Sequence, residues 1–148
     1  MKQVINLKRV FIGGFIAGMI INIIDTPNGA LISGPAIIEF LEAHNITPNP
    51  LVPAYFLPLH IVFGWMLVWV YAALIPMFGA TQRNAIYSTL VIMIPTRLFS
   101  LGFVVMGLLP FNLFLMLSAS VIIGFIIGGL VGGWYYNKGL DTVPEQSI

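Results

Sequence analysis

The chain has 148 residues, 59% of them hydrophobic and 7% charged, with a formal net charge of +1 and a mean hydropathy of +1.00. Soluble domains carry about 25% charged residues, so an exterior that meets water over most of its area is excluded and lipid takes its place. The absence of cysteine removes thiolate metal sites, thiol redox chemistry and disulfides, and no basic cluster is present to neutralise nucleic-acid phosphates.

A helix needs about 20 mainly apolar residues, each rising about 1.5 Å, to cross a hydrocarbon core of roughly 30 Å. Segments 10–31, 53–77, 85–109 and 111–136 meet that requirement. They predict a single-domain, all-α membrane protein: four transmembrane helices in an antiparallel bundle, with a tail over 137–148. The basic start and apolar run at the N-terminus resemble a secretory signal, but no A-x-A-like site follows, so a retained first span is expected. Its clean run ends at Ile24, where Asn22, Asp25, Pro27 and Asn28 bring in polar groups.

Between the first two spans, "SGPAIIEFLEAHN" places Pro35 at a first helical position and sets Ile37, Ile38 and Leu41 against Glu39, Glu42 and His44. Too short to span, it reads as an amphipathic helix lying on the outer surface, followed by the stiff connector "ITPNPLVP". Glu39, Glu42 and His44 offer divalent-ion chemistry, but their spacing matches neither HExxH nor ExxH. A solvated face is the preferred reading, and no metal or cofactor is expected. Tyr55 and Phe56 open the second span as an aromatic belt; Pro58, His60, Trp65 and Trp69 follow, the two tryptophans reading as packing or lipid-facing residues.

The third span holds Pro95 and Arg97 within "VIMIPTRLFSLGFVV". It joins the fourth at Leu109-Pro110, where proline ends one helix and Asn112 can cap the next. The fourth contains Ser118, Ser120 and "GFIIGGLVGG", and closes on Trp134, Tyr135 and Tyr136 as a second belt. Gly14 and Gly18 in span one, and Gly124, Gly128 and Gly132 in span four with Gly129 and Gly133 alongside, form small-xxx-small faces that let backbones approach closely. Spans one and four are expected to pack through them, unless one face meets another subunit.

Lys2, Lys8, Arg9, Arg83 and Lys138 all fall on one side of a four-span topology, which the positive-inside rule makes cytoplasmic, with both termini inside. Arg97 is the one cation left within the bilayer. Measured from the cytoplasmic ends of their spans, Asp25, His60 and Arg97 lie at about 22, 25 and 18 Å, one common layer. A bidentate Arg97–Asp25 pair is predicted, with His60 beside it and Asn22, Ser118 and Ser120 completing the hydrogen bonds, all facing inward. His60 reads as a hydrogen-bonded core histidine, because His44 lies outside the core and leaves no second ligand for a haem.

At "VWVYAALIPMFGATQRNAI", through Trp69, Tyr71, Ala72, Ala73, Pro76 and Gly79, and at "GGFIAGMIIN" ending in Asn22, the chain resembles a loose group of small bacterial four-span integral membrane proteins of unassigned function. Members commonly carry basic residues beside the proline, where this chain has Ile75 and Met77. The resemblance implies a bacterial membrane and supplies no activity. Three classes of function fit the residues. The first is a non-enzymatic scaffold, assembly factor or subunit of a larger complex, whose partners are the lipid bilayer and other membrane subunits or a second copy. The second is a small transporter or proton-linked carrier using Asp25, His60 and Arg97, with helix kinks at Pro58 and Pro95. The third is an intramembrane or lipid-modifying enzyme with His60 as base and Arg97 as anion clamp; the missing nucleophile motif, metal box and phosphate loop count against it.

Overall fold

The computed structural model describes residues 5–138; Lys2 and the tail from residue 139 onward lie outside the described residues. Asn6 accepts the Arg9 amide at 3.2 Å and so caps the start of α1 (Leu7–Asn28). The helix does not stop at Asn28. A π turn, Gly29–Ser33, carries it into α2 (Gly34–Ala43), giving one helical rod of 37 residues. The short helix expected after the first span is thus present as its prolongation, not as a separate piece laid on the surface. Pro27 and Pro35, which lack N–H groups, stand on either side of the π turn and interrupt the ordinary ladder there. Gly34 lets the wider turn close, since a Cβ at that position would strike the Gly29 carbonyl. At 1.5 Å per residue the rod extends about 55 Å, so α2 projects beyond a hydrocarbon core of about 30 Å.

α3 (Val52–Phe78) runs straight through Pro58 and Pro76 and ends at Gly79, whose φ of +71° needs glycine. Thr81 accepts the Asn84 amide at 3.2 Å and caps α4 (Gln82–Val105). α4 ends about a turn earlier than the sequence suggests. Gly107 at φ +74° and the bond from the Leu108 amide to the Phe103 carbonyl, 2.9 Å, close it as a Schellman motif. Pro110 then stands at the cap of α5 (Phe111–Asn137), and Asn112 lies inside the first turn without the predicted capping role. α1, α3, α4 and α5 are each long and apolar enough to cross a membrane, and the chain is an integral membrane protein built as an all-helical bundle.

α1 packs against α3 on one side and α5 on the other; α4 also packs on α3 and α5, from the corner diagonal to α1. The α1–α5 seam follows the glycine reading: added Cβ atoms at Gly128 and Gly132 would press on Ala17 and Ile21, and on Val68 and Gly13. Gly14 and Gly18 turn elsewhere. They face Trp65, Ile61 and the His60 backbone on α3, where Gly64 seats against the Gly14 carbonyl and Gly18. The α3 half of this contact escaped the sequence reading because Gly64 stands alone, without a second small residue four positions away. Ile21, Leu67, Ile92 and Phe125, one from each spanning helix, fill the centre. Trp65 stacks on Phe11 and donates its indole N–H to the Phe11 carbonyl at 3.0 Å, while Trp69 is exposed. Tyr136, expected in a belt, is 1% exposed and accepts the Asn6 amide; Trp134 is on the surface.

These contacts separate two glycines of the same type. Gly64→Ala should cost about 1–3 kcal/mol, because α1 and α3 must part. Gly102→Ala, with nothing within 4 Å of the new Cβ, should be neutral or add up to about 1 kcal/mol. Reversible unfolding in mixed detergent micelles reads both.

Candidate functional site

The polar centre is assembled on α1 and completed from its two neighbours. Side chains lean toward the N-terminus of their own helix, and α1 and α3 run antiparallel, so Asp25 and His60 lean toward each other. His60 Nε2 stands 3.5 Å from Asp25 Oδ2, with the histidine 5% and the aspartate 19% exposed at their side chains. The other ring nitrogen, Nδ1, is 3.2 Å from Asn22 Nδ2. With that amide donating to Nδ1, the ring proton sits on Nε2, facing the carboxylate. From α5, the Ser120 hydroxyl donates to Asp25 Oδ1 at 2.6 Å and accepts from Asn28 Nδ2 at 2.8 Å. Asn28 also donates to the Met116 carbonyl at 3.2 Å, and Ser33 donates to the Asn28 carbonyl at the same distance. One carboxylate thereby joins three helices.

Arg97 is not its partner. Among the described residues, His60 is the one ionisable side chain in contact with Asp25. The guanidinium of Arg97 has no hydrogen-bond partner among the described residues, and its Nε is buried. Matching depth proved insufficient, because α1 and α4 occupy diagonal corners, each packed on α3 and α5 and hardly on the other. Ser118 also departs from expectation. It is buried, but its hydroxyl has no partner, because two residues along a helix turn it about 200° from Ser120 and away from Asp25.

A second polar group, at the end of the bundle carrying Arg9, Arg83 and Lys138, was missed from sequence. Asn84 is fully buried and its Nδ2 donates to the carbonyls of Tyr71 and Gly79, each at 3.1 Å. Asn137 Nδ2 reaches the Tyr71 hydroxyl and the Ala80 carbonyl, and Arg9 reaches the carbonyls of Tyr135 and Tyr136 at the close of α5. Asn84, Ser88 and Thr89 form a short polar stripe near the start of α4, which was the available signal. These groups lock the turn between α3 and α4 and cap α5 with a cation where its dipole favours one.

Two of the surface clefts are lined by described residues alone. One of about 260 Å³ is lined by Leu7, Val10, Val62, Trp65, Met66 and Trp69, the other of about 410 Å³ by Glu42, Asn45, Ile46, Thr47 and Pro48; neither borders the Asp25 network. Glu39, Glu42 and His44 do not converge: among the described residues no three acidic or histidine side chains gather as ion ligands, and His44 Nδ1 lies 2.7 Å from the Phe40 carbonyl. Fold and site define a four-helix integral membrane protein whose central carboxylate is bonded between helices. No protein-family model, no curated protein and no solved structure matches the chain.

Coupling energies should follow these contacts. In double-mutant cycles, Asp25→Asn with Ser120→Ala should be non-additive by about 1 kcal/mol or more, and Asp25→Asn with Arg97→Gln should couple more weakly. A larger energy for the arginine pair would contradict the arrangement described.

Proposed function

We propose that the protein is a small non-enzymatic component of a bacterial cytoplasmic membrane, akin to the four-span group it resembles, acting as a scaffold, assembly factor or subunit of a larger complex. The use of Asp25 carries this reading: both carboxylate oxygens face groups on neighbouring helices, the arrangement of a pin that holds helices in register. Such a pin needs no substrate. α4 supplies the assembly face. Beyond Ile92 it has no buried side chain, and Leu98 and Phe99 are 62% and 73% exposed. Lys8, Arg9, Arg83 and Lys138 stand at one end of the bundle, and the positive-inside rule favours both termini on the cytoplasmic side.

Because the chain has no cysteine, each introduced thiol is unique. In intact cells an impermeant maleimide should label Asn45→Cys and spare Ala80→Cys; the reverse pattern would invert the topology. A photo-crosslinker on Leu98→Cys or Phe99→Cys in native membranes should give discrete protein adducts, at twice the chain mass for a second copy. The same probe on Phe15→Cys or Ile123→Cys, exposed on α1 and α5, should give lipid adducts alone. Equal behaviour at all four positions would overturn the assembly reading.

A further inference from the structure

Among the described residues, two buried polar atoms remain without partners in the half of the bundle away from Arg9 and Lys138: Arg97 Nε on α4 and Ser118 Oγ on α5. They lie at one depth. Thr89 packs on Phe125 and Gly129, and counting the same eight residues outward on each antiparallel helix brings Arg97 level with 117–121. Eight residues turn Arg97 about 80° around α4 from Thr89, the residue that meets α5. Ser118 is two turns from Phe125, hence within about 20° of the α5 face that meets Phe63 of α3 and the Thr89 hydroxyl of α4. Neighbouring hydroxyls are already committed: Thr96 donates to the carbonyls of Ile92 and Met93, and Ser100 to that of Thr96.

We propose that Arg97 and Ser118 form a binding site for a phosphate oxyanion between α4 and α5, filled in the membrane by the phosphate of a phospholipid headgroup. An arginine keeps its charge at any working pH and offers five donors in a fork that matches a phosphate. The one carboxylate at similar depth, Asp25, is held by Ser120 and His60 across the bundle. The counter-charge therefore comes from outside the chain. Arg97 stands eight residues before the end of α4 at Val105, about 12 Å, and its side chain spans roughly half of that, so a modest local thinning of the leaflet brings a headgroup to it. Arg97 is partly exposed and stands about 100° and 160° around α4 from Leu98 and Phe99, so lipid reaches it beside the assembly face. A phosphate oxygen there would accept from Nε, from the rest of the guanidinium and from the Ser118 hydroxyl, and both unpartnered atoms would be paired.

The test uses the full chain purified in a phosphate-free detergent, with binding followed by native mass spectrometry and by thermal unfolding. The probes are phosphatidylglycerol, phosphatidylcholine, oleate and inorganic phosphate. Wild type should retain one phospholipid and gain in midpoint temperature with either phosphate-bearing lipid, but not with oleate. Arg97→Gln should abolish the retained lipid, and Ser118→Ala should weaken it about tenfold, the loss of one charge-assisted hydrogen bond. Ser100→Ala should leave it unchanged. Should Arg97→Gln fail to fold, Ser118→Ala against Ser100→Ala decides alone. Inorganic phosphate bound as tightly as the lipids and lost in Ser118→Ala would support the oxyanion site and overturn the lipid as its occupant. Equal lipid retention in wild type, Arg97→Gln and Ser118→Ala would overturn the site.

Discussion

α1 can lie deep between α3 and α5 only because glycine stands at the points where the backbones meet. Gly64 against Gly14 and Gly18 sets its distance from α3, and Gly128 and Gly132 set its distance from α5. In a bilayer there is no hydrophobic drive between helices, so close backbone packing must supply the attraction. The same closeness brings short side chains on three helices within bonding range. Ser120, with a one-carbon stem, could not reach Asp25 across a seam of bulky residues. The polar network is in this sense a consequence of the glycine seams.

The network in turn explains how an acidic residue is tolerated within a span. An isolated carboxylate in hydrocarbon costs several kcal/mol unless its lone pairs are met. Asp25 meets a hydroxyl and an imidazole, and each of these is positioned by a further group, Asn28 for Ser120 and Asn22 for His60. The π turn that follows Asn28 continues the same helix, and its Ser33 hydroxyl is bonded to the Asn28 carbonyl. Irregular backbone and buried charge are thereby kept in one place.

α4 follows a different plan. Near Asn84 it is bound by side-chain amides and hydroxyls and by the tight turn at Gly79; beyond Ile92, one turn before Pro95, none of its side chains is fully buried. Arg97 falls in that looser half. The bundle therefore combines a glycine-packed triple of α1, α3 and α5 with a fourth helix fastened at one end, and the ionised residue without an internal partner sits on the part that is least held.

Four spans, their approximate limits and the antiparallel order were legible in the residues, since apolar length and the spacing of Pro, Gly and Asn are local properties with direct physical meaning. The membrane class follows from composition alone. The glycine faces and the buried polar residues were legible as sets, because small or polar groups within an apolar run must face protein. What belonged to the tertiary structure was the pairing within those sets. Depth along a helix is readable from sequence to within several Å, but the angle around each helix and the corner each helix occupies depend on every contact together. For that reason Asp25 met Ser120 and His60 instead of Arg97, Gly14 and Gly18 met Gly64 instead of span four, and Tyr136 turned inward to the start of α1 instead of outward to the interface.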